Sequence, residues 1–143
     1  MMTMRHAIQS LAMLLSSVTM TIATEQTDVI VVGATPAGVA AAVSAARSGA
    51  KVVLLEESRH VGGIVSGGLT NTDIRKQGAV GGIYVEFKRL VVDHYKNTYG
   101  LDSAELKLCK EGNMFQPRVA ELTFRKLLND EKNIRLRSEE HTS

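Results

Sequence analysis

The sequence predicts an α/β fold built on a parallel sheet, and three observations predict it. Residues 28–32, Asp-Val-Ile-Val-Val, form a short β-branched apolar run, the pattern of a strand buried on both faces. A turn, Gly33-Ala34-Thr35-Pro36-Ala37-Gly38, leads into an alanine-rich stretch, residues 39–48, that holds neither Pro nor Gly and reads as a helix. A second apolar run, residues 51–56, follows. A strand, a turn, a helix and a strand at this spacing form one crossover unit, and right-handed crossover makes its two strands parallel.

The elements follow in order. Residues 1–23 read as a secretory signal peptide. Arg5 and His6 give a basic start, an apolar stretch follows, and Thr21-Ile22-Ala23 supplies small residues at the cleavage positions. Export to the periplasm or outside the cell is therefore expected, with an uncleaved membrane anchor as the alternative. Gly49 stands where a C-terminal helix cap belongs. Residues 57–82 read as a loop with glycines at 62, 63, 67, 68, 78, 81 and 82. Residues 83–99 have the period of an amphipathic helix, with Ile83, Phe87, Leu90, Val91 and Tyr95 on one face and Gly100 as its stop. Residues 101–114 show no pattern. Pro117 opens another helix, whose apolar stripe reads Val119, Leu122, Leu127 and Leu128. Ile134 to Leu136 begin a third strand. The final run, Arg137-Ser138-Glu139-Glu140-His141-Thr142-Ser143, breaks with the strand pattern before it and matches the translation of a common sequencing adapter; a solvated tail is the alternative. The expected organisation is a signal peptide at 1–23, the N-terminal part of a domain at 27–136, and a non-native tail at 137–143.

Composition narrows the function. Of the 143 residues, 44% are apolar and 22% charged, which excludes a disordered, collagen-like or multi-span membrane chain. Seventeen basic residues against 15 acidic ones give a net charge of +2. That balance argues against nucleic acid as a partner, which would call for a clustered basic face. Cys109 is the single cysteine, so the chain cannot by itself form a disulfide, a zinc site or an iron–sulfur site. Once a signal is cleaved, no membrane partner is expected.

The chemistry lies in the glycine turn and in the segment after the second strand. Gly33 lets the chain leave the first strand sharply, and Gly38 permits close packing of the helix. The helix beginning at Pro36 or Ala37 directs backbone N–H groups and a positive dipole end at an anion such as a pyrophosphate. The usual pattern is G-x-G-x-x-G, but Thr35 takes the middle glycine's place and narrows the space there. Pro36 partly offsets this by fixing the first helical φ without removing a needed donor. Glu56 lies 18 residues after Gly38, near the spacing at which an acidic residue accepts hydrogen bonds from an adenosine ribose and repels a 2′-phosphate. Glu57 is the alternative carboxylate. Gly62-Gly63 comes next, a pair that either lets backbone approach a diphosphate closely or marks a flexible loop turn.

Residues 31–38, Glu56 through Gly63, and Ser66-Gly67-Gly68-Leu69 resemble the FAD-dependent oxidoreductases related to the flavoprotein subunit of heterodisulfide reductase, some labelled xanthan lyase-like. Phe115-Gln116-Pro117-Arg118-Val119-Ala120-Glu121, with Phe124, Leu127 and Leu128, resembles a second segment of that family, in which His is usual at the place of Arg118. The resemblance implies a Rossmann-like FAD/NAD(P)-binding domain, of which this is the N-terminal part. It implies FAD as cofactor, and flavin-mediated hydride or electron transfer between a small-molecule substrate and an electron acceptor. Gly33, Thr35, Pro36, Ala37 and Gly38 would hold pyrophosphate, and Glu56 or Glu57 the ribose. Arg59, Gly62 and Gly63 would hold the diphosphate and ribityl region, with Ser66 and Gly67 near the isoalloxazine. Some relatives bind a 4Fe-4S cluster; one cysteine gives that no support here. No catalytic acid or base is assigned. His60 reads as a solvated loop residue, His94 as an exposed helix residue and Cys109 as a buried or incidental thiol. An NAD-dependent dehydrogenase and an inactive truncated remnant are the competing readings.

Overall fold

The computed structural model describes residues 26–138. The expected signal peptide and the end of the expected tail lie outside those residues. The elements are β1 (Val29–Val32), α1 (Pro36–Arg47), β2 (Val52–Glu56), α2 (Gly63–Ser66), α3 (Ile83–Tyr99), α4 (Ala104–Leu108), α5 (Pro117–Asn129) and β3 (Ile134–Ser138). The three strands form one parallel sheet in the order β1-β2-β3. Val29 pairs with Val52, and Val52 with Ile134.

Local chemistry accounts for α1. The Thr35 hydroxyl caps it by accepting from the Gly38 N–H at 3.2 Å, and Pro36 begins it. Ser48 caps its far end, with Gly49 in the left-handed region at φ 93°. Its buried face is Gly38, Val39, Ala42, Val43 and Ala46, the spacing of one helical stripe. That face packs on the inward side chains Val52 and Leu54 of β2.

The third layer is aromatic. Phe87 of α3 meets Phe115 edge-on at 5.4 Å and stacks on Phe124 of α5 at 4.6 Å. The Gln116 N–H donates to the Tyr95 hydroxyl at 2.9 Å, fixing the start of α5 against α3. Arg47 at the end of α1 reaches Glu86 in the first turn of α3 and Glu131 beyond α5, at 2.7 and 2.6 Å. These groups are partly exposed, so the pairs set geometry more than they add stability.

The structure departs from the sequence reading in four places. Neither β1 nor β2 is buried on both faces, because Ile30, Val32 and Leu55 are 63%, 80% and 37% exposed. The strand order explains this: two right-handed crossovers stepping in the same direction put both on one side of the sheet. Among the described residues, nothing covers the other side. The stripe of α5 runs through Val119, Ala120, Thr123, Phe124, Leu127 and Leu128, while Leu122 is exposed. The loop regions contain α2, α4 and two single 3-10 turns, at Gln77–Ala79 and Lys110–Gly112. The third strand continues past Leu136 through Arg137 and Ser138, which pair with Leu55 and Glu56. By contrast, α3 has the bounds its periodicity predicts. No described helix is long and apolar enough to cross a membrane.

The two faces of the sheet respond differently to substitution. Leu54 is fully buried, so Leu54→Ala is expected to lower the unfolding free energy by about 2–5 kcal/mol. Ile30→Thr on the open face is expected to change it by no more than about 0.5 kcal/mol. Urea titration of both variants checks the contrast.

Candidate functional site

Three segments of the sequence meet at Ala34. The Ala34 N–H donates to Glu56 Oε2 at 2.6 Å, and the Ala34 carbonyl accepts from the Gly62 N–H at 2.7 Å. One residue earlier, the Gly33 N–H donates to the Leu55 carbonyl at 2.7 Å. The turn after β1 is thus bound to the end of β2 and to the glycine pair beyond it.

Two glycines are required by space. A Cβ on Gly38 would overlap the Gly33 carbonyl oxygen, backbone against backbone, so the turn closes only without one. Gly62 has φ 109°, and a Cβ there would meet Ser66 Oγ and the Phe124 ring. Gly63 lies against Thr35, so the second glycine of the pair faces the turn after β1 directly. Pro36 carries no N–H, and the Ala37 N–H has no acceptor among the described residues. Thr35 therefore uses one helix-start donor, that of Gly38, and leaves another at the exposed end of α1.

Glu56 closes the turn from the other side. Its Oε1 accepts from the Ser58 N–H at 3.0 Å and the Ser58 hydroxyl at 2.9 Å. Burial pushes the carboxyl up, but the Ser58 and Ala34 donors and the nearby His60 outweigh it and hold it below its usual range. A carboxylate has about four lone-pair sites, so Glu56 keeps acceptor capacity for a ligand hydroxyl. Beside it, a groove of about 620 Å³ opens at the C-terminal ends of the strands, lined by Val32, Leu55, Glu56, Glu57, Arg137 and Ser138. Ligands in open α/β sheets bind outside those strand ends.

The other sequence-predicted residues fall into place around this core. Glu57 is exposed at the rim of the groove. Arg59 is exposed, and its carbonyl accepts from the Arg125 guanidinium. Ser66 is buried, with its hydroxyl 2.6 Å from the Val61 carbonyl, and Gly67 caps α2. His60 lies in the loop and is only partly solvated, its side chain 39% exposed. Its Nε2 lies 2.9 Å from Ser66 Oγ and its Nδ1 3.4 Å from Glu121 Oε2. Sequence reasoning assigns Glu121 no role, and only its proximity in space to His60 supplies one. His94 is half-buried beside Tyr95. Cys109 is buried. Among the described residues, no group of three His, Cys, Asp or Glu side chains is placed to hold a metal ion.

Comparison with known proteins gives three findings. Residues 28–142 match the family described as FAD dependent oxidoreductase. The chain is similar to the alpha subunit of sarcosine oxidase from two Corynebacterium strains, P-1 and U-96. In each case it is 65% identical over 37 residues, which cover 26% of this chain and 4% of the relative. It is also similar to the HOCl-induced flavoprotein disulfide reductase RclA from Escherichia coli, at 17% identity and a TM-score of 0.38, covering 78% of this chain and 21% of that one. The Cu(II) complex of the same reductase gives 17% identity, a TM-score of 0.39, and coverage of 81% and 22%. The chain thus spans a small part of the length of the relatives it matches.

The Glu56 clasp makes stability depend on pH. A carboxyl held below its ordinary value of 4.5 stabilises the fold fully above that value and loses the contribution as pH falls through the folded one. Wild-type stability is therefore expected to fall on acidification more steeply than that of Glu56→Gln, with the two curves converging in acid. Parallel curves from pH-dependent urea unfolding would contradict the clasp.

Proposed function

The chain belongs to the FAD dependent oxidoreductase family, with FAD as cofactor, and from that premise we propose that the cluster around Ala34 holds the ADP half of the flavin nucleotide. The observation that carries the reading is the meeting of the glycine turn, Glu56 and Gly62 on a single peptide unit. The residues fit the group. Gly38 leaves no side chain in the turn, and the start of α1 presents the Ala37 N–H and the positive helix end to a diphosphate. Gly33, Thr35, Pro36 and Ala37 form the rest of that cradle. Glu56, with Glu57 at the rim, faces the groove that would take the adenosine, and its negative charge disfavours a 2′-phosphate. Arg59, Gly62 and Gly63 would border the diphosphate from the second side, with Ser66 and Gly67 beyond them.

When bound, FAD supplies the redox chemistry; the protein binds and orients it. The Gly62–Gly63 backbone allows close approach, and the Glu56 carboxylate sets the ribose end. The reaction proposed for the whole protein is oxidation of a small-molecule substrate with transfer of its electrons to an acceptor. The name of the Corynebacterium relatives, an oxidase, supports that class and does not single out a substrate. The apolar stretch and small-residue cleavage pattern of residues 1–23 support export.

The test separates binding from folding. Ala37 is exposed at the first turn of α1, so Ala37→Asp adds a charge that favours the helix start and repels a diphosphate. Thermal stability is expected to hold or rise, while FAD affinity, followed by quenching of flavin fluorescence, falls by about tenfold or more. Equal FAD affinity in the variant, or NADH binding without flavin in the parent chain, overturns the reading.

A further inference from the structure

Residues 59–61, just before the glycine pair, are each held by the same small polar network. The Arg59 carbonyl accepts from Arg125. The ring of His60 lies between Ser66 Oγ and Glu121 Oε2. The Val61 carbonyl accepts from the Ser66 hydroxyl at 2.6 Å. Glu121 and Arg125 are themselves paired, with Arg125 Nε and Nη2 at 3.0 and 2.8 Å from Glu121 Oε1. Glu121 lies one turn before Phe124, whose ring sits where a Cβ on Gly62 would fall. The next residue in the chain is Gly62, bonded to the Ala34 carbonyl.

The series Ser66–His60–Glu121 has the connectivity of a nucleophile relay, but its protons are arranged otherwise. The Ser66 hydroxyl has one hydrogen, and an oxygen 2.6 Å from the Val61 carbonyl must donate it there. His60 Nε2 then donates to Ser66 Oγ and is not available as its base. Ser66 is also buried, 5% exposed. The network therefore braces the loop and does not generate a nucleophile.

We propose that Glu121 is a positioning residue for the flavin site: through His60 and Arg125 it fixes the Gly62–Gly63 pair against Thr35 and so sets the affinity for FAD. This rests on the reading that the turn faces the FAD diphosphate. Glu121 touches no part of the cradle itself. Its effect comes from the paired bonds with the Arg125 guanidinium and the contact with the His60 ring, which a loop of six residues between β2 and α2 cannot supply from its own backbone.

The test compares Glu121→Ala and Glu121→Gln with Glu86→Ala in the full chain. Glu86 also pairs with an arginine, Arg47, but braces α3 and α1 far from the loop. Glu121→Ala is expected to weaken FAD binding about tenfold and Glu86→Ala by less than about twofold. Glu121→Gln, which keeps a neutral acceptor for Arg125, is expected to recover part of the loss. Amide hydrogen exchange of residues 59–62 in the FAD-free chain is expected to accelerate in Glu121→Ala alone. Unchanged FAD affinity in Glu121→Ala, or an equal loss in Glu86→Ala, overturns the proposal. Should the parent chain fail to bind FAD, the functional reading falls. The exchange data then decide the brace on their own: acceleration confined to Glu121→Ala supports it, and its absence overturns it.

Discussion

The architecture depends on how one peptide unit, that of Ala34, is satisfied. Buried backbone donors and acceptors must be paired, and Ala34 is fully buried. Its N–H goes to a side chain at the end of β2 and its carbonyl to a backbone N–H beyond that strand. Neither partner belongs to the turn. The path of the chain between β1 and α1 is therefore set by β2 and by the glycine pair. On the proposed function Glu56 would have two roles. It would meet a ribose, and it is the acceptor without which the Ala34 donor would be orphaned.

A second constraint is handedness. Crossovers of one hand, stepping the same way along the sheet, load all the described helices onto one side. The core is consequently a stack of α1 and β2 with α3 and α5 behind, joined by the Phe87, Phe115 and Phe124 rings. The stack places α5 against the short helix after the glycine pair. It brings Glu121 and Arg125 within reach of a loop some sixty residues earlier in the sequence.

Much of this was legible in the sequence, where the determinant is local. The β1–α1–β2 unit is fixed by β-branched runs, a proline at the helix start and glycines whose positions the turn demands. The residues Gly33, Thr35, Gly38, Glu56, Gly62 and Gly63 do come together. The bounds of α3 follow from periodicity and Gly100. What the sequence hid has a common cause in distance. His60 looked solvated because its partner Glu121 is far along the chain. The helices α2 and α4, of four and five residues, are too short to show a period. Leu122 was placed in the stripe of α5 by its apolarity, whereas geometry puts Thr123 and Phe124 inward. Apolar β1 and β2 read as covered on both sides, but a strand's composition does not state what lies over it.

The strand order also has a kinetic side. Val29 pairs with Val52, and Val52 with Ile134, spans of 23 and 82 residues. If both loops closed as flexible chains, the longer would lose about 1 kcal/mol more entropy, a factor of roughly six in the closing equilibrium. The unit that carries the glycine turn and Glu56 is thus the easier of the two to assemble. The strand and helix that complete the sheet and tie down the glycine pair close the longer loop. On that account the proposed nucleotide cradle is shaped early, and its second wall is fastened by the part of the chain that arrives last.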